Sequence, residues 1–169
     1  MLSNWQAAPI ERLMRLIETQ SKETLVNWAT DYAETHLLPI YEKHYPKDAR
    51  PQLSLDYARL WLRKEVKLPE AKRYILGCHQ AANETVENPA AQAAARAIGQ
   101  AASSIHSAMH SLGLALYGGL AIAYDQLGMD IPWAEHEAFA LIECEKMLAA
   151  LQAVAIENEP NPVKVKWFC

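Results

Sequence analysis

The chain has 169 residues, 51% hydrophobic and 21% charged, a composition that supports one sizeable core and excludes both a disordered chain and two ordinary domains with separate cores. Its net charge of -4 is uneven: Met1 to Asn88 holds 12 basic and 12 acidic residues, whereas Pro89 to Cys169 holds 4 and 8. No basic stripe of the kind that neutralises phosphates is present, so the balance argues against a nucleic-acid partner and favours a basic protein partner.

Ile10, Leu13, Met14 and Ile17 recur at helical spacing behind Pro9, which a first helical turn tolerates. Ser21 is placed to cap a second helix with a stripe of Leu25, Trp28, Ala29 and Tyr32, which Pro39 breaks or bends, leaving Ile40 to His44 as a short further piece. Pro46 to Pro51 reads as a turn, with Asp48 capping a helix that carries Leu55, Ala58, Trp61 and Leu62 and ends before Pro69. Leu68-Pro69-Glu70 opens a helix burying Ala71, Tyr74, Ile75, Cys78 and Ala82, and Asn88-Pro89 repeats the cap-plus-proline signal. The Ala-rich stretch that follows could run to Leu127, but Gly113 and Gly118-Gly119 argue for two central helices. Asp130-Ile131-Pro132 starts a last long helix to about Glu157, ended by Pro160 and Pro162; Val163 to Trp167 alternates as a strand would.

Short connections and a dominant helical period predict an all-α fold, a single-domain compact bundle of about six to eight helices over residues 1–169, with an irregular tail over 158–169. The first residues carry no secretory signal, and the longest weakly polar run, Leu112 to Tyr124, falls short of the ~20 apolar residues that span a bilayer. A cytoplasmic location without membrane association is therefore expected. Cys78, Cys144 and Cys169 lack paired spacing; the first two read as small core residues and the third as an exposed terminal thiol. An apolar strip along the last helix, if exposed, would favour a homo-oligomer.

On one continuous helix, Arg96, Gly99, Ser103, His106, His110, Gly113 and Tyr117 would share a side, so Arg96, His106, His110 and Tyr117 read as a structural polar seam along a helix contact. The alternative chemistry is a metal site built from His106 and His110, one turn apart, with His79 from a neighbouring helix. Ser107 stands where a zincin-type motif needs Glu, so the structural reading is preferred and no cofactor is expected. Glu135-His136-Glu137 has the acidity expected of a helix start. Serines 103, 104, 107 and 111 lie near histidines but without a nucleophile elbow, so no catalytic residue is assigned. Trp28, Tyr32, Tyr41, Tyr45, Tyr57 and Trp61 read as core, and Arg59, Arg63, Lys64 and Lys67 as a solvated face.

An ordered set of motifs runs along the chain: Trp28-Ala29, Leu38-Pro39-Ile40-Tyr41-Glu42, Pro46-x-Asp48-x-Arg50-Pro51 and Ala58-Arg59-x-Trp61, then His79-x-Ala81-Ala82, Ala93-Ala94-Ala95-Arg96-Ala97-x-Gly99 and His106-x-x-x-His110-x-x-Gly113-x-x-x-Tyr117. From about Leu25 to Tyr117 the chain thereby resembles a bacterial family of immunity proteins of polymorphic toxin systems. It departs in Gln100, where many relatives carry His, and in Leu68-Pro69, which replaces a more Gly-rich connector.

The resemblance implies a non-enzymatic protein that binds and neutralises a cognate toxin made by the same cell. Such inhibition needs a complementary surface of about 800 Å² on each partner. The expected contact residues are Glu135, Glu143 and Glu145 on the acidic last helix, facing a basic, nuclease-like toxin.

Overall fold

Residues 1–167 are described by the computed structural model, in which eight α-helical segments follow one another in chain order: α1 (Ala8–Glu18), α2 (Lys22–Tyr32), α3 (Leu38–Glu42), α4 (Arg50–Leu62), α5 (Leu68–Glu84), α6 (Pro89–Ser103), α7 (His110–Leu127) and α8 (Trp133–Val154). A π-helical turn, Ala33–Leu37, joins α2 to α3 without a break, so the described residues form seven helical rods and no strand. Cys169 lies outside the described residues.

Prolines start these helices. Pro9, Pro39, Pro51, Pro69 and Pro89 each sit in a first turn, where a missing N–H costs no intrahelical bond. The Ser21 hydroxyl accepts from the Thr24 N–H, and the Asn88 side chain accepts from the Ala91 N–H, both as caps. Asp48 acts one residue further out than expected. Ala49 takes the cap position of α4 without a side-chain bond, while Asp48 Oδ1 accepts from the Arg50 N–H at 3.1 Å. Pro39 does not end its helix. The Leu38 N–H reaches Ala33 O, five residues back, and this wider turn accommodates the proline ring without a stop.

The core is centred on α6 and α7. On α6, Ala91, Ala94, Ala95, Ala97, Ala101 and Ala102 are fully buried, and such small side chains let neighbouring backbones approach closely. The expected division into two central helices holds, but the break falls at residues 104–109, not at the glycines. Gly118 and Gly119 lie inside α7 because its neighbours leave no room: a Cβ on Gly119 would stand 2.7 Å from the Ala140 carbonyl oxygen of α8. Trp28 Nε1 donates to Met147 O, tying α2 to α8, and the buried Leu2 donates its N–H to Leu116 O, tying the N-terminus to α7.

Beyond α8 the chain becomes a strap. The buried Gln20 side chain accepts from the Ile156 N–H at 2.8 Å, and the Gln20 carbonyl accepts from the Val163 N–H at 2.9 Å. Val163, Val165 and Trp167 turn toward the core while Lys164 and Lys166 face water, so the period-two pattern is realised as a single extended segment without a sheet. Trp167 Nε1 donates to Glu18 at 2.6 Å.

Candidate functional site

The polar line expected on one continuous helix is folded back on itself. Arg96 and Gly99 lie on α6, His110, Gly113 and Tyr117 on α7, and His106 on the connection between them. Glycines set the spacing of this contact. A Cβ on Gly99 would stand 2.6 Å from the His79 ring of α5, and one on Gly113 would stand 2.7 Å from Gln100 Cγ of α6. His79 therefore rests on the bare backbone of α6, and Gln100 on that of α7.

Gln100 Oε1 lies 2.7 Å from His110 Nδ1, whose N–H donates to it. The rings of His106 and His110 meet edge to face with 4.9 Å between centroids. Burial lowers the pKa of all three imidazoles. The charge of His110 adds to this for His79 and His106, followed by Arg96 for His79 and by Lys72, Lys22 and His79 for His106. Arg96 donates to Asn83 Oδ1 of α5, and Tyr117 is half-buried against the core. The seam is thus two separate contacts, α5 on α6 and α6 on α7, with His106 exposed at the turn.

The histidines approach one another, yet among the described residues no three His, Cys, Asp or Glu side chains are arranged to hold a metal ion. Two of the four serines are engaged elsewhere: Ser104 and Ser111 each donate to a carbonyl three residues earlier, at 2.6 Å. Cys78 and Cys144 are buried, and burial pushes both thiols up to about 12, far from a reactive thiolate.

The three carboxylates expected to form a contact surface do not share one. Glu143 is only 3% exposed, and its carboxylate accepts from Lys146 Nζ at 2.6 Å. Residues two apart on a helix point about 200° from each other, which puts Glu145 on the other side, paired with Arg12 at 3.0 Å. Glu135 alone is freely exposed.

Two structural nodes escaped the sequence reading. Asp48 accepts from the Tyr41 hydroxyl at 2.6 Å and from the Arg50 guanidinium at 2.7 Å, and Arg50 also pairs with Glu84, so Asp48 and Arg50 together link α3, α4 and α5. The hydrogen bonds from Arg50 and, after them, from Tyr41 hold the Asp48 carboxyl down at about 2 against the opposing effect of burial. His136 is buried, and its Nε2 bonds to the Gly128 carbonyl at 2.7 Å while its ring meets Tyr124 edge to face. The ion-paired fraction of the basic group was also missed: Arg59 pairs with Asp31 at 2.9 Å and Glu34 at 2.7 Å. For Asp48 the Pro-x-Asp-x-Arg-Pro run was the available signal; for His136 there was none, because its partner is a turn carbonyl.

The fold and its contacts define a helical protein whose polar side chains mainly join helices. The sequence model of the family described as "Imm-5 like putative immunity protein" matches residues 15–158, and the chain belongs to that family. No curated protein and no solved structure gives a match. No helix among the described residues is long and apolar enough to cross a membrane.

Proposed function

We propose that the chain is an immunity protein that binds a cognate toxin made by the same cell and neutralises it without catalysis. The observation that carries this reading is membership of the immunity family over residues 15–158. The state of the reactive side chains supports a binding role: His110 and His136 are committed to Gln100 and Gly128, two serines to their own helical turns, and two thiols to the core.

Co-expression is the direct test. The toxin encoded beside this chain's gene should kill or arrest a host that lacks the chain, and growth should return when the chain is supplied. Absence of a neighbouring toxin gene, or no rescue, defeats the proposal. Metal analysis of protein purified without a polyhistidine tag tests the competing use of His79, His106 and His110. Stoichiometric metal that disappears in His106→Ala and His110→Ala would replace the structural role of that cluster with coordination.

A further inference from the structure

The α7–α8 corner leaves large apolar side chains partly exposed. Leu127 is 37%, Met129 49% and Trp133 48% exposed, all within seven residues. The corner that carries them is fixed. Gly128 takes a positive φ of 73° at the end of α7, and its carbonyl is held by the buried His136 from the first turn of α8. Tyr124 of α7 packs against the same imidazole. Trp133 is therefore presented on a braced turn, with little conformational freedom left to lose on contact.

Electrostatics selects the occupant. From Ala97 to Glu145 the sequence contains no Lys or Arg, while it contains six carboxylates. Acidic residues at a helix start are ordinary by themselves. Here, however, Asp130 adjoins Met129 and Glu137 lies one turn beyond Trp133 on the same side of α8, and neither makes an ion pair among the described residues. Lys43, which reaches the end of α7, is paired with Asp125 at 2.8 Å. A second copy of the chain placed face to face would oppose like charges, and an anionic membrane would be repelled. A basic protein surface is attracted and can bury the tryptophan.

We infer that the α7–α8 corner, with Trp133 and Met129 as apolar anchors beside the carboxylates of Asp130 and Glu137, is the docking surface for a partner protein that presents Lys or Arg around an apolar pocket. This rests on the toxin-binding reading above and gives that partner a chemistry and a place. Tryptophan is the side chain most often found at the energetic centre of such contacts, and rim charge acts chiefly on the association rate.

The test measures binding of the full chain to the purified toxin domain encoded beside its gene, inactivated by substitution if necessary. Trp133→Ala is expected to weaken the Kd by at least about thirtyfold. The combined Asp130→Asn and Glu137→Gln variant should slow association at least about threefold and flatten its dependence on salt. Leu53→Ala with Leu76→Ala, exposed on α4 and α5, should change the Kd less than about threefold. Met129→Ala, in the connector outside any helix, repeats the first arm if Trp133→Ala alters the fold. Tight wild-type binding that neither Trp133→Ala nor Met129→Ala disturbs overturns this surface and leaves the immunity reading intact. No binding by the wild type removes both. Trp133-dependent dimerisation in sedimentation, or Trp133-dependent binding to phosphatidylglycerol vesicles, would reassign the corner and overturn the inference.

Discussion

Gln100 and His110 meet across the α6–α7 contact with 2.7 Å between Oε1 and Nδ1, above the bare backbone of Gly113. An amide oxygen only accepts, so His110 carries a proton on Nδ1, and the burial that lowers its pKa disfavours the charged ring. Gln100 is thus the residue that orients one imidazole of the cluster.

The helix contacts at glycines should be unequal. Gly119→Ala drives a Cβ to 2.7 Å from a backbone oxygen of α8, which cannot rotate away, and should cost about 1–3 kcal/mol. Gly77→Ala, in the interior of α5 with only the Arg50 side chain at 3.9 Å, should instead raise stability by up to about 1 kcal/mol. Urea unfolding of the two variants checks the contrast; equal effects would mean that α7 and α8 are not in close contact.

Stability should fall as pH drops below the ordinary histidine range. The pKa of His79, His106 and His110 is lower folded than unfolded, so the unfolded chain binds more protons as pH falls from about 6.5, the ordinary value. Their contribution is fully present above that value and is lost progressively below it. The urea midpoint should therefore decrease from pH 7.5 to pH 5, and the decrease should shrink in a His79→Asn, His110→Gln double variant, whatever its absolute stability.

Asp48 should matter over a wider range. Its carboxyl is held at about 2, so its stabilisation is present above the ordinary value near 3.8 and is lost only as pH falls through about 2. Asp48→Asn removes the charged acceptor shared by Tyr41 and Arg50 and should cost about 1.5–3 kcal/mol at neutral pH, read from thermal or urea unfolding. An unchanged midpoint would show that the node linking α3, α4 and α5 adds nothing to stability.

Gln20→Leu should loosen the C-terminal strap locally. The Ile156 N–H loses its acceptor, so its hydrogen exchange should accelerate, whereas the Val163 N–H keeps the backbone carbonyl of residue 20. The expected loss of stability is about 1 kcal/mol, one hydrogen bond's worth. Unchanged exchange at Ile156 would show that the strap is held by Val163, Val165 and Trp167 alone.

Local chemistry made much of this architecture legible in one dimension. Prolines in first turns, Ser21 and Asn88 as caps, and the spacing of Ile10, Leu13, Met14 and Ile17 act within a few residues, so periodicity and cap chemistry placed the helices and the all-α class. The motifs from Trp28 to Tyr117 likewise pointed to the family whose model matches residues 15–158. What lay beyond the sequence depends on where helices turn and which backbones touch. The reversal at 104–109 separated residues expected on one face, the rotation of α8 buried Glu143, and a positive-φ turn at Gly128 gave His136 its partner. Helical spacing specifies an angle about an axis; only packing decides which angle faces the core, and so which carboxylates and which tryptophan meet water.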